Sequence, residues 1–244
     1  MVVEAKDDKL FLIKPHNIRY GKRVATNELI GTLLGLAIEG PFIPPAFIEL
    51  TKEVIDLSGI PRKLNYALGG VVTGLAFGIE YFPSKNTASD LRNKGTIKTS
   101  NSEQVIPLLI TDSWIHNTDR DNMGNLIFVP DTSSPLSRKM YAVDHGVAFG
   151  GPDWTAEQLE LEKTDIRVEN HLTFIHELAN QQKGDLDKYL NKVESLTRAD
   201  IYNILQQIPK GWGVSLREEV KLLDYLLIRQ SLIRPTFTEA FKIW

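Results

Sequence analysis

The stretch "DSWIHNTDRDNMGN", residues 112–125, holds three aspartates, three asparagines and a histidine between two apolar runs. Side chains of these types could hold calcium, carry phosphoryl transfer, or simply cap a turn. A calcium loop beginning at Asp119 would have Asp at positions 1 and 3 and Gly at position 6. It fails at position 5, Met123, and at position 12, Pro130, where an oxygen ligand and a bidentate Glu are required. Phosphoryl transfer needs an aspartate that orients the attacking hydroxyl and accepts its proton. It also needs an amide and a second aspartate to hold magnesium on the phosphates. Asp119, Asn125 and Asp144 supply those three groups in that order.

Farther upstream, Lys14 at a strand end and Glu28 in the next helix match the lysine–glutamate pair that positions nucleotide phosphates. Each feature has a plainer explanation taken alone. An Asp/Asn-rich turn bonds its own backbone, Lys14 would be a solvated surface lysine, and Glu28 would be a first-turn acid on a helix dipole. Five features in the right order favour phosphoryl transfer.

The remaining polar and aromatic candidates are assigned to structure. His145 is expected to pack and hydrogen-bond, because no second ligand sits at metal spacing on its strand. His116 is expected to be structural. His171 and His176 differ by five positions, which does not align them on one helical face as a zinc pair. Trp114 and Trp154 suit core anchors, and the charges in 181–200 suit a solvated helix face. Arg120 could meet phosphate or an acid, and the sequence leaves both open.

These groups need elements to place them. "KLFLIK" (9–14) and "AFIEL" (46–50) have the length and apolar content of strands. Between them "ATNELIGTLLGLAI" is helical, with Leu29, Leu33, Leu36 and Ala37 on one stripe and Ile30 and Leu34 beside it. Glu28 falls in its first turn, and Gly31, Thr32 and Gly35 allow another element to come close. The glycine-rich 69–78 segment lacks the Gly-Lys-Ser/Thr ending of a phosphate loop and is set aside as one. "SEQVIPLLITDSWI" (102–115) is helical, with Pro107 tolerated near its start. "LIFVPD" and "KMYAVDH" form a hairpin joined by "TSSPLS", which would return Asp144 toward Asn125. Downstream, "TAEQ", "TRAD" and "SLRE" each match a helix-capping pattern, the last opening "EEVKLLDYLLIRQSLI". A strand-and-helix front half thus gives way to an all-helical back half, the outline of a two-lobed α+β protein.

Composition narrows the classes. With 42% hydrophobic and 24% charged residues, 244 residues can build an ordinary globular core. Zero cysteines exclude disulfides and thiolate metal sites. A net charge of −3 gives no long-range attraction for nucleic acid or an anionic membrane. The longest uncharged run, 64–79, is shorter than the about 18 apolar residues of a spanning helix, and "MVVEAKDDKL" is not a signal peptide. A cytoplasmic location is expected.

Together "LIKPH…NELI", "GLAFGIEYF", "SWIHNTDRDNMGN" and "AVDHGVAF", with the late "IPKGW" and "LLDYLLIRQ", resemble the HipA-like kinases over nearly the whole chain. The resemblance implies a protein-kinase-like fold and an ATP- and Mg2+-dependent phosphotransferase, with Ser or Thr of a protein as the expected acceptor. It implies Asp119 as catalytic base, Asn125 and Asp144 as magnesium ligands, Lys14 on the ATP phosphates and Glu28 as its partner. Backbone groups near Glu49 and Leu50 would meet adenine at the hinge. Some relatives work with an antitoxin-like partner, so such a partner is an expectation too. Relatives carry Asp-Arg-His with Asn five positions after the Asp; here Asp121 replaces the His and the Asn stands at six. A preceding strand and a phosphate-covering loop are expected to be missing or abbreviated.

We therefore expect one kinase-like domain with a small, strand-rich lobe over 1–55 and a larger, mainly helical lobe over 56–244. Two alternatives remain: a pseudokinase that binds nucleotide without turnover, and a metal-dependent phosphohydrolase that would leave Lys14 and Glu28 without a role.

Overall fold

The computed structural model describes residues 1–5, 8–16, 21–57, 73–91, 99–133, 137–168 and 173–243. Two short apolar strands open the chain, β1 (Val2–Glu4) and β2 (Leu10–Lys14), paired antiparallel with Val2 opposite Leu12. Helix α1 (Val24–Ala37) follows, then β3 (Pro45–Leu50) and the short α2 (Lys52–Leu57). β4 (Gly74–Glu80) inserts between β2 and β3, giving the antiparallel order β1-β2-β4-β3 with Lys14 opposite Phe77 and Glu49 opposite Leu75.

The sheet runs on to Glu80, past residue 55 where the small lobe was expected to end. The glycines of β4 made the segment resemble a loop. Gly78 is instead where β3 comes closest, since a Cβ there would stand 2.8 Å from the Ile48 side chain.

α1 is buried nearly all round. Leu29, Ile30, Leu34 and Ile38 are fully enclosed, whereas Leu33 and Leu36 are only partly so and Ala37 is exposed. The buried stripe is thus rotated toward Ile30–Leu34–Ile38, and the polar Thr26, Asn27 and Glu28 are buried with it. A helix covered on several sides is set by all its neighbours, which one-face periodicity does not reveal. Gly31 allows one of these approaches: a Cβ there would meet Ile115 at 2.9 Å and the His145 ring at 3.0 Å.

After β4 come β5 (Asn86–Thr87), α3 (Ala88–Leu91), α4 (Val105–Trp114), β6 (Leu126–Pro130) and β7 (Arg138–Ala142). β5, β6 and β7 form a second antiparallel sheet. The back half is helical: α5 (Ala156–Glu162), α6 (Thr173–Gln181), α7 (Leu186–Ser195), α8 (Arg198–Leu205) and α9 (Leu216–Ile243). The expected caps form. Thr155 accepts from the Gln158 N–H, Thr197 and Asp200 close a full capping box, and Ser215 and Glu218 exchange the same pair of bonds.

α9 buries Leu222, Leu226, Ile233 and Phe237 along one stripe, interrupted by the fully buried Arg229. The Arg229 guanidinium donates to the carbonyls of Ser113, Trp114, Glu162 and Asp165. These lie at or just past the ends of α4 and α5, where carbonyls lack helical partners and carry negative partial charge. Among the described residues no helix is long and apolar enough to cross a membrane.

Candidate functional site

β2 ends at Lys14, and its ammonium reaches two carboxylates at once: Glu28 Oε1 at 2.8 Å and Asp144 Oδ1 at 2.7 Å. Glu28 is 2% exposed and uses both oxygens, Oε2 accepting the backbone N–H of His145 at 3.0 Å. It sits in the second turn of α1, not the first as expected, because the helix begins at Val24. Its partners are therefore side chains and the His145 backbone rather than the helix dipole.

Burial pushes the Glu28 carboxyl up, but Lys14 and the side chain and N–H of His145 outweigh it and hold Glu28 well below the usual carboxylate range. Burial likewise opposes charge on Lys14, and the Glu28 and Asp144 carboxylates outweigh it, holding the ammonium above its ordinary value. The pair is ionised at neutral pH.

Asp144 stands two residues beyond β7 in the left-handed region, φ 64°. Ile115 and Gly31 enclose the next residue, His145, whose ring packs at a tilt against Phe42 with centroids 5.2 Å apart. His145 is thus a packing residue whose backbone N–H and ring, Nδ1 3.5 Å from Oε2, both serve Glu28.

Beneath Lys14 lies the loop after α4. Asn125 donates from Nδ2 to both Asp119 Oδ2 (2.8 Å) and the Asp119 carbonyl (2.9 Å). The six-residue spacing closes because residues 123–125 coil into a single 3-10 turn capped by Asn122, whose Oδ1 accepts the Gly124 N–H. Asp121 is exposed on the outer side of that turn.

Arg120 meets an acid: its Nε and Nη2 donate to the two oxygens of Asp112 at 2.8 and 3.1 Å, and both residues are fully buried. Its Nη1 donates to the carbonyls of Asn125 and Val143, each at 2.7 Å. One guanidinium thereby ties α4 to the residue just before β6 and to the residue that precedes Asp144. A bidentate, fully satisfied pair is the form in which buried charges hold geometry. Asn117 completes the knot through its own bond to Asp112 Oδ1 at 2.9 Å.

A cavity of about 150 Å3 runs past both groups. Lys14, Glu28, Asn125 and Asp144 line its polar end, while Leu12, Phe77, Ile79, Ile127 and Val143 form an apolar slot. Glu49 and Leu50, expected at the hinge, do not line it. They lie on the outer strand β3, where Leu50 packs with Ile13 and Ala76 in a separate cluster. The wall at that end is Glu80, Tyr81 and Phe82, where β4 leaves the sheet.

Elsewhere, Trp114 and Trp154 are buried anchors whose indole N–H groups donate to the Leu226 carbonyl and to Asn27 Oδ1. His116 lies 3.5 Å from Glu162, and His171 lies outside the described residues. Asp112 and Asn27 carried no sequence signal of their own, although both stand inside quoted motifs.

The donor set fits magnesium. Asn125 commits its amide N–H to Asp119, which leaves its amide oxygen for a cation. Asp144 commits Oδ1 to Lys14, which leaves Oδ2. Hard oxygens few in number suit an ion that keeps waters and is completed by substrate phosphates. Among the described residues no three His, Cys, Asp or Glu side chains converge as an all-protein metal cage.

The HipA-like kinase family model matches residues 2–242. Among solved structures, the Helicobacter pylori proinflammatory kinase CtkA is similar, with a TM-score of 0.62 at 12% identity, covering 99% of this chain and 90% of that one. At that identity the likeness shows the fold, a small antiparallel sheet region followed by a helical part, as in a kinase. A comparison with curated proteins finds none that matches. By the match along nearly its full length, this chain belongs to the HipA-like kinase family.

Proposed function

We propose that the protein is an ATP- and magnesium-dependent phosphotransferase that delivers the γ-phosphoryl group to a hydroxyl, with Ser or Thr of a protein as acceptor. The observation that carries this reading is the convergence of Lys14, Glu28 and Asp144 on the cavity that Asn125 also lines, with Asn125 bonded to Asp119. In this scheme the sheet to Glu80 forms the small lobe. The apolar slot receives the base, with Glu80–Phe82 rather than Glu49 and Leu50 beside it.

Lys14, held by Glu28, neutralises phosphate charge. Asn125 and Asp144 would hold the cation, which when bound would supply the positive charge that offsets charge developing on the phosphates. The Asp119 carboxylate orients the acceptor hydroxyl and takes its proton, while the Asn125 amide fixes where that carboxylate points. Little covalent chemistry is asked of the protein; positioning and electrostatics supply the rate.

Incubation with γ-labelled ATP and magnesium, alone and with host lysate, followed by mapping of the labelled residue, tests the reading. Label on a Ser or Thr is the expected result. Thermal stabilisation by ATP and magnesium without any label would identify a binding module instead. Phosphate release that needs no acceptor would identify a hydrolase.

A further inference from the structure

Asn27, immediately before Glu28, is fully buried, and its whole hydrogen-bonding capacity is spent on the segment that follows Asp144. Its Nδ2 lies 2.9 Å from the Gly146 carbonyl, 3.0 Å from that of Ala148 and 3.1 Å from that of Gly151. Its Oδ1 accepts the Trp154 indole N–H at 2.7 Å, which fixes which end of the amide faces the carbonyls. An amide carries two hydrogens, so three carbonyls converging on one nitrogen share them. The segment has been shaped around this side chain.

That segment needs external support. Asp144, Phe149, Gly150 and Gly151 all have positive φ, and the two non-glycine residues adopt it at a cost of about 1–3 kcal/mol each. Its own backbone bonds are few: Ala148 N–H to His145, Phe149 N–H to Ile115 and Gly151 N–H to Ala148. Between Asp144 and Trp154 the sequence is "DHGVAFGGPDW", which contains no Ser, Thr or Tyr. Phosphorylation within it is therefore not available to order it.

α1 supplies the order directly. Glu28 takes the His145 N–H, Asn27 takes the three carbonyls beyond it, and the Arg23 N–H donates to the Pro152 carbonyl at 2.8 Å. The helix that holds Lys14 through Glu28 thus also sets the backbone from which Asp144 projects.

We propose that Asn27 is a positioning residue for Asp144, acting through the 146–151 backbone, so that the cation site is assembled without a covalent switch in that segment. The proposal rests on the kinase reading for its functional consequence. Its structural part, that Asn27 orders 146–151, is independent of that reading.

The test compares the full chain with Asn27→Ala by amide hydrogen exchange and by magnesium titration of ATP-dependent thermal stabilisation. Exchange at Phe149 and Gly151 is expected to quicken while amides of α9 are unchanged. The magnesium concentration for half-maximal stabilisation is expected to rise about 10-fold or more, the usual consequence of losing support behind a metal ligand, with magnesium-free ATP binding unaltered. Unchanged exchange at 149 and 151, or a rise shared equally by α9, would overturn the ordering role. Local loosening with an unshifted magnesium midpoint would overturn the link to Asp144. Should Asn27→Ala fail to fold, Asn27→Asp keeps the shape of the side chain and its acceptor for the Trp154 N–H while removing the amide donor to the three carbonyls, and the same two readouts decide in the same way. Absence of any magnesium-dependent ATP stabilisation in the parent counts against the kinase reading, whereas the exchange result still decides whether Asn27 orders the segment.

Discussion

The floor of the cleft and its back wall are both held by ion pairs, but the pairs differ in kind. On the floor, Arg120 and Asp112 are fully excluded from solvent, and every partner of Arg120 lies within 23 residues of it. At the back wall, the Lys14 and Asp144 side chains are 26% and 43% exposed, and they meet across 130 residues of chain. A sealed, bidentate pair has no other partner to offer and acts as a fixture. A half-open one faces a cavity, where its ammonium and carboxylate can serve a ligand instead of each other. The floor is therefore architecture, and the wall is the proposed working surface.

Breaking the floor should cost most in stability. Arg120→Ala leaves Asp112 charged, buried and missing its cation, a situation that typically costs about 3–5 kcal/mol. A urea midpoint far below that of the parent is expected, with loss of activity following from loss of fold. Breaking the wall should separate stability from binding. Lys14→Met strands the buried Glu28, costing about 1–3 kcal/mol as an unsatisfied buried group does. In this variant we expect magnesium–ATP stabilisation to vanish while the circular dichroism of the folded chain is retained.

The wall also carries a pH signature. Glu28 has a depressed folded pKa, so its contribution is complete above its ordinary value of about 4.3 and is lost as pH falls toward the lowered one. Urea midpoints of the parent and Glu28→Gln should thus differ most near neutrality and converge below about pH 4. A gap that stays constant with pH would mean the pair contributes nothing electrostatic. The smallest effect belongs to a region outside the comparison. Thr197→Ala removes a capping box at the start of α8 and should lower stability by about 1 kcal/mol, leaving magnesium–ATP stabilisation as it was.

The same contrast explains what the sequence revealed. Features set within a few residues of one another were readable: the strand ending at Lys14, the helix carrying Glu28, the hairpin of β6 and β7, and the caps at Thr155, Thr197 and Ser215. The α+β outline followed from them. Features set by distant packing were not. β4 does not show in the sequence because the glycines of 69–78 interrupt the strand pattern, and Gly78 is explained only by the approach of Ile48. Without β4 as a strand, the sequence points the hinge to β3 and ends the small lobe before the last strand of the sheet. The burial of Asn27 depends on Trp154, 127 residues away, and nothing local announces it. Arg120 is an instructive middle case: its acid is eight residues upstream, but the helix end between them hides the geometry.

The central claim is that this cleft transfers phosphate through Asp119 and Asp144. The direct measurement is label transfer from γ-labelled ATP with magnesium by the parent, Asp119→Ala and Asp144→Ala, each shown to be folded by its thermal transition. The account predicts labelling of a hydroxyl residue by the parent. It predicts loss of label in both variants, by the about 10²–10⁴-fold that a missing proton acceptor costs in the case of Asp119. Equal labelling by the parent and the two variants would contradict it.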